Sequence, residues 1–203
     1  LSGILAEDAG AWRYAANIGG GHFAPSRVVA TTPAHRALSS GQRLMDLNGN
    51  GEIDVVEFDG PTPGLYEREA GQDWNAFVPF AALPRIRWDD PNLRFVDLTG
   101  DGHADALVTE DEVFTWYPSK AEQGFGAAET THAPSSNGSI RLVFHDGTDT
   151  LFLADMCGDG LTDLVRIRNG EVCYWPNLGY GRFGTKVSMG QAPRLDYDEY
   201  FDP

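Results

Sequence analysis

Three nine-residue segments hold the side chains best suited to chemistry: Asp46–Asp54 (DLNGNGEID), Asp97–Asp105 (DLTGDGHAD) and Asp155–Asp163 (DMCGDGLTD). Each follows the frame Asp-x-x-Gly-x-Gly-x-x-Asp. Oxygen donors fall at positions 1, 3, 5 and 9 and a glycine at position 6, which suits a hard cation that takes six to eight oxygens, calcium above all. The first loop offers Asp46, Asn48, Asn50, the Glu52 carbonyl and Asp54. The second offers Asp97, Thr99, Asp101, the His103 carbonyl and Asp105. The third offers Asp155, Asp159, the Leu161 carbonyl and Asp163, and at its third position Cys157 replaces a good oxygen ligand with a poor one, so it is expected to bind most weakly. The competing reading is a set of self-bonded Asx turns, because Asp and Gly are ordinary turn residues. Repulsion among eight loop aspartates argues for an ion.

Asp46 to Glu57 also satisfies the helix–loop–helix calcium pattern, with Glu57 at position 12. Position 12 is Val108 in the second loop and Arg166 in the third, and Pro61 and Pro63 break the segment after the first. The helical half of that motif is missing.

These loops need elements to hold them, and the repeat supplies them. The loops begin at 46, 97 and 155, spacings of 51 and 58 residues, the size of one four-stranded propeller blade. Residues 97–126 and 155–184 align without a gap, sharing the loop frame, Pro118 with Pro176, and Phe125-Gly126 with Phe183-Gly184. Each unit reads as an apolar strand (Leu93 to Val96; Leu151 to Ala154), the Asp loop, a second strand, a hairpin, a third strand with paired aromatics (Trp116-Tyr117; Tyr174-Trp175) and a short fourth strand after Gly-x-Phe. Arg168-Asn169-Gly170-Glu171 supplies the Asn-Gly pair of a tight hairpin turn. Asn17 to Phe23 matches Asn177 to Phe183, so the first unit reads as a second half whose loop lies upstream of Leu1, and both ends look cut inside a larger array. The expected fold is all-β: a propeller or partial propeller with a half blade at 1–40, blades at 41–90, 91–148 and 149–190, and a linker to a further blade at 191–203. Thr130 to Ser139, rich in Ser, Thr, Pro and Gly, reads as an inter-blade loop, and the acidic stretch from Asp196 to Asp202 as part of the linker.

Composition narrows the function. The formal net charge of -15 repels nucleic acid and anionic membrane and favours cations. No apolar run is long enough to span a bilayer, so membrane insertion by this segment is not expected. Cys157 in a loop and Cys173 in mid-strand read as two free thiols. No Gly-x-Ser-x-Gly, His-Glu-x-x-His or phosphate-binding glycine loop occurs, and the histidines at 22, 35, 103, 132 and 145 are scattered, so no enzyme activity is expected.

The Asp loops between strands, one blade apart, resemble the FG-GAP or VCBS repeats of integrin-type propellers. The stretches FVDLTGDGHADALVTEDEVFTWYPS and LADMCGDGLTDLVRIRNGEVCYWPNLGYGRFG are similar to the propeller of bacterial Tc toxin complex B components and Salmonella plasmid virulence B proteins. That resemblance implies a secreted, non-catalytic docking and closure module. Its protein partners would be the pore-forming A component or the shell repeats of the same parent chain. Self-association that completes a ring is a further expectation, since each blade buries its face on a neighbour. The alternative is a calcium-dependent, lectin-like propeller. Trp116, Tyr117, Tyr174 and Trp175 recur at equivalent positions and read as packing, which leaves Trp74 and Trp88 as the sugar-stacking candidates.

Overall fold

In the computed structural model, residues 3–30, 42–68, 74–110, 113–134, 142–145, 150–168 and 170–192 are described. The expected linker from Asp196 to Asp202, Asn169 of the hairpin turn, His35 and the end of the Thr130–Ser139 segment lie outside them. The chain is all-β, with four successive propeller-type blades and, among the described residues, a single 3-10 turn at Ala121–Gln123. No helix among those residues is long and apolar enough to cross a membrane. The blades fall into two compact units, Leu1–Leu83 with Lys120–Gly124, and Pro84–Ser119 with Phe125–Pro203.

The first unit begins with β1 (Ile4–Asp8), β2 (Ala11–Ala15), the hairpin of β3 (Asn17–Gly19) and β4 (His22–Phe23), and β5 (Arg27–Val28); the sheet order is β1-β2-β5. The segment expected to be half a blade therefore contributes a three-stranded sheet and a two-stranded hairpin. Its second blade is β6 (Arg43–Met45), β7 (Asp54–Glu57), β8 (Gly64–Tyr66) and β9 (Val78–Pro79), in sequential antiparallel order. Strands flank the loop at Asp46 on both sides, and Glu57 ends a buried strand, which disposes of the helix–loop–helix reading.

In the second unit the two blades are β10 (Leu93–Val96), β11 (Asp105–Thr109), β12 (Val113–Tyr117) and β13 (Glu129–His132), then β14 (Leu151–Ala154), β15 (Asp163–Arg168), β16 (Glu171–Trp175) and β17 (Val187–Ser188). Both follow one register: Leu93 pairs with Val108 and Val96 with Asp105, as Leu151 pairs with Arg166 and Ala154 with Asp163. The start of the Thr130–Ser139 segment departs from its sequence reading, because Thr130 to His132 belong to β13, the fourth strand of the blade. Thr130 and Thr131 are β-branched, and they pair with Thr115 and Phe114.

Blade packing inside each unit follows one aromatic rule. After the third strand the chain closes a small bridge, Asn17 with Phe23, Arg68 with Trp74, Ser119 with Phe125 and Asn177 with Phe183. The last residue of that bridge can then meet the third strand of the preceding blade edge to face. Trp74 meets Trp12 at 5.5 Å and 90°, and Phe183 meets Phe114 at 5.9 Å and 82°, geometry that aromatic quadrupoles favour. Gly181, at φ +67°, lies against the Trp116 ring, where an added Cβ would sit 2.6 Å from the indole nitrogen; glycine is required on both counts. Around these contacts the second unit buries Val96, Leu98, Leu107, Trp116, Leu164 and Trp175 in one cluster.

Two sequence expectations about side chains separate here. Cys157 is exposed and Cys173 buried, both unpaired as thiols. Trp74 and Trp88, the candidate sugar-stacking residues, are 4% and 6% exposed. Trp74 is taken up by Trp12, and Trp88 by Phe95 and Phe125. Neither offers a free ring face of the kind expected.

Candidate metal loops and their carboxylate straps

Each Asp loop folds around its first carboxylate. Asp97 accepts backbone N–H groups from Thr99 and Gly100 on Oδ1 (3.1 and 2.7 Å) and from Gly102 on Oδ2 (2.8 Å). Asp155 does the same with Gly158 and Gly160, and Asp46 with Asn50 and Gly51. At position 5 the side-chain oxygen of Asn50, Asp101 or Asp159 accepts the N–H two residues on, from Glu52, His103 or Leu161 at 2.7–2.9 Å. The glycine at position 6 takes positive φ in all three loops. The tight ring so formed gathers positions 1, 3 and 5 at an exposed rim.

At position 5 of the second and third loops the surroundings favour the ionised carboxylate. Burial alone would raise the Asp101 carboxyl, but the His103 N–H, the Thr99 hydroxyl and the nearby His103 ring outweigh it and hold it below the usual carboxylate range. The Leu161 N–H and then the Cys157 thiol lower Asp159. The bond to Asp159 raises the Cys157 thiol. Ligand atoms of Asp155, Cys157 and Asp159 all lie within 4.8 Å of one another. In the first loop two donors are spent on the chain after β8: the Asn48 amide donates to Glu67 Oε1 at 2.6 Å and the Asn50 amide to the Arg68 carbonyl at 3.2 Å.

The ninth position does something the frame did not announce. Asp54, Asp105 and Asp163 are wholly buried, and both oxygens of each are engaged by backbone donors. One oxygen takes the N–H of loop position 2: Leu47 at 3.2 Å, Leu98 at 2.9 Å and Met156 at 2.9 Å. The other takes the N–H fourteen residues beyond the aspartate itself: Arg68 at 2.9 Å, Ser119 at 2.7 Å and Asn177 at 2.8 Å. Each carboxylate thus straps the loop to the end of the third strand. Burial pushes Asp54 and Asp105 up to about 6 despite those two bonds, with like charge from Asp46, and from Asp101 and Asp97, adding to the rise.

A fit test for calcium follows from this chemistry. Positions 1, 3 and 5 of the second loop, Asp97, Thr99 and Asp101, form an oxygen set open to water, which a calcium ion tolerates. Asp46, Asn48 and Asn50 form the corresponding set of the first loop. Asp54, Asp105 and Asp163 differ from that set in burial: each is wholly buried, and each of its oxygens accepts a backbone N–H. Of the residues expected to lend only a carbonyl, Glu52 places its carboxylate 3.0 Å from Arg68, and His103 its ring 3.4 Å from Asp101.

No protein-family model and no curated protein matches the sequence. Among solved structures, the Tc holotoxin pore of Photorhabdus luminescens is similar over 99% of this chain, at a TM-score of 0.77 and 26% identity. This chain spans 9% of that one. An Agrocybe aegerita lectin that recognises non-reducing terminal N-acetylglucosamine is similar over 94% of this chain and 52% of its own, with a TM-score of 0.52 and 20% identity, a likeness of fold alone. The TcdB2-TccC3 structure aligns with 97% of this chain and 12% of its own, at a TM-score of 0.44 and 22% identity.

Proposed function

We propose that this chain is a non-catalytic, calcium-loaded propeller segment that serves protein docking and closure in a secreted bacterial toxin complex. The observation that carries the reading is the likeness of nearly the whole chain to a Tc holotoxin component, at a TM-score of 0.77. The site chemistry agrees with it. The loop carboxylates are committed to backbone N–H groups and to an exposed rim, an arrangement that orders strands and does not activate a nucleophile.

Calcium, held at positions 1, 3 and 5 of each loop, supplies positive charge where the rim carboxylates crowd. Asp97, Thr99 and Asp101 make the strongest set, and Asp155 with Asp159 the weakest, because Cys157 brings a soft, protonated sulfur to a hard ion. The partner is a protein: a pore-forming component of the complex, or shell repeats of a longer parent chain. The test is immobilisation of this chain and titration with the purified pore-forming component, with and without calcium. Saturable binding supports the reading, and no binding in either condition removes it.

Carbohydrate binding is the second reading, favoured by the fold-level likeness to the lectin. It must now do without Trp74 and Trp88 as stacking platforms, and a glycan array decides it directly.

A further inference from the structure

We propose that the last blade, β14 to β17, holds one small monovalent anion of the halide class at the buried guanidinium of Arg166, in the seam it shares with the blade before it. The site lies within the second unit, and it depends neither on the toxin-complex reading nor on the Asp loops.

Arg166 sits within β15, and its cross-strand partners are Leu151 on β14 and Cys173 on β16. Residues that pair across strands share a face of the sheet, as do residues two apart along one strand. Leu151, Cys173 and Leu164 all belong to the cluster that contains Leu107, Phe114 and Trp116 of the preceding blade. The arginine therefore shares the face that packs on that blade, and its side chain is 2% exposed. Val108 stands at the equivalent position of the preceding blade, so the repeat itself does not call for a charge there.

A guanidinium keeps its charge in a protein and carries several N–H donors, so burial obliges it to find acceptors. Nη2 finds one, donating to Glu171 Oε2 at 3.2 Å. Among the described residues neither Nε nor Nη1, both buried, meets an acceptor. The buried indole Nε1 of Trp175 meets none either. Arg166 Cζ lies 5.5 Å from the Trp175 ring centroid, close enough for one small ion to touch both side chains. Attraction to the ring steadies the positive charge without giving these N–H groups an acceptor. Every unmet atom here is a donor. A water molecule would bring two protons needing acceptors of their own, whereas a halide only accepts.

Charge points to the same ligand. Glu171 is shared, since its Oε1 accepts from Lys186 while its Oε2 accepts from Arg166. The Lys186 ammonium, against the effect of burial, and then the Arg166 charge hold Glu171 below the usual carboxylate range, so it counts as a full negative charge. One carboxylate thus serves two cations. Arg168, exposed and paired across the strands with Glu171, adds to the positive excess. A monovalent anion at Nε and Nη1 neutralises the buried guanidinium, and the apolar cluster around it strengthens the attraction.

The test uses the full chain in chelator at constant sodium, with chloride exchanged for gluconate, an anion too large for a buried site. The melting temperature should rise saturably with chloride, by about 3–6 °C once chloride exceeds its dissociation constant about tenfold. Arg166→Met keeps an apolar stem without the charge and should not respond to chloride. The line width of the chloride NMR signal, read on the unaltered chain, should broaden saturably and narrow again when bromide competes, which decides the matter even where the variant does not fold. Three results overturn the proposal: no change in melting temperature up to about 0.5 M chloride, a very weak limit; an equal response in a folded Arg166→Met; or broadening that bromide does not displace, which marks an adventitious ion only.

Discussion

Asp105→Ala removes the acceptor of two buried backbone N–H groups at once, those of Leu98 and Ser119. A buried donor left without a partner costs roughly 1–3 kcal/mol, so the pair costs roughly 4 kcal/mol. A second effect opposes the first. Burial raises the Asp105 carboxyl from 3.8 to about 6, and a shift of roughly two units disfavours the ionised form by about 3 kcal/mol. Because the folded value lies above the unfolded one, this stabilising contribution is complete below the unfolded pKa and is lost as pH rises through about 6. The wild-type advantage over the variant should therefore shrink by about 2 kcal/mol between about pH 4.5 and about pH 7.5. In melting temperature, at roughly 2–4 °C per kcal/mol for a chain of this size, the gap should fall from roughly 8–16 °C to roughly half that. Circular dichroism melts across the range, in chelator so that no ion contributes, read this directly. Asp54 carries the same shift in both proteins and cancels from the difference. A gap that stays constant with pH, or a variant that melts with wild type throughout, would refute the strap.

The other expectations are simpler. Chelation of calcium should lower the melting temperature, and Asp101→Ala should weaken calcium binding in titration calorimetry more than Cys157→Ser does; equal effects would contradict the ranking of the loops. Leu98→Ala empties a filled socket and should cost roughly 2–5 kcal/mol in urea unfolding, whereas a cost under about 1 kcal/mol would show that its neighbours close over the gap. In thiol labelling of the native chain Cys157 should react at once and Cys173 only on unfolding, since one is exposed and the other lies at 0%; simultaneous labelling would mean that β16 opens readily.

Where the sequence was read correctly, a repeat and a local signal agreed. Leu93–Val96 and Leu151–Ala154 form strands at the residues expected, because an apolar run ends at each Asp loop and the two units align without a gap. Where it was ambiguous, one pattern served two physical roles. Asp at position 9 is what a metal loop wants and also what a buried strap wants, and only burial together with the two N–H donors separates them. Trp74 was misjudged because its unit is shorter and carries Trp where the others carry Phe, which concealed its place in the bridge with Arg68. Thr130 to His132 have the composition of a loop, yet pairing with Thr115, Phe114 and Val113 makes them strand.

Leu98 shows why a polar loop belongs at this place in a blade. Its N–H is held by Asp105, its carbonyl accepts the Tyr180 N–H of the next blade at 2.7 Å, and its side chain is enclosed in the shared core. One residue thus fixes loop to blade and blade to neighbour, and it follows directly the carboxylate around which the rim is built. The proposed ion, gripped by Asp97, would act on Leu98 through a single peptide bond. It would stabilise blade stacking by restricting the backbone that carries the buried Leu98 side chain, without entering the core. This separates the two acidic roles by distance from water: the rim carboxylates would gain from the proposed cation, while the Asp105 carboxylate, cut off from solvent, is met by two N–H dipoles and still pushed toward protonation by burial.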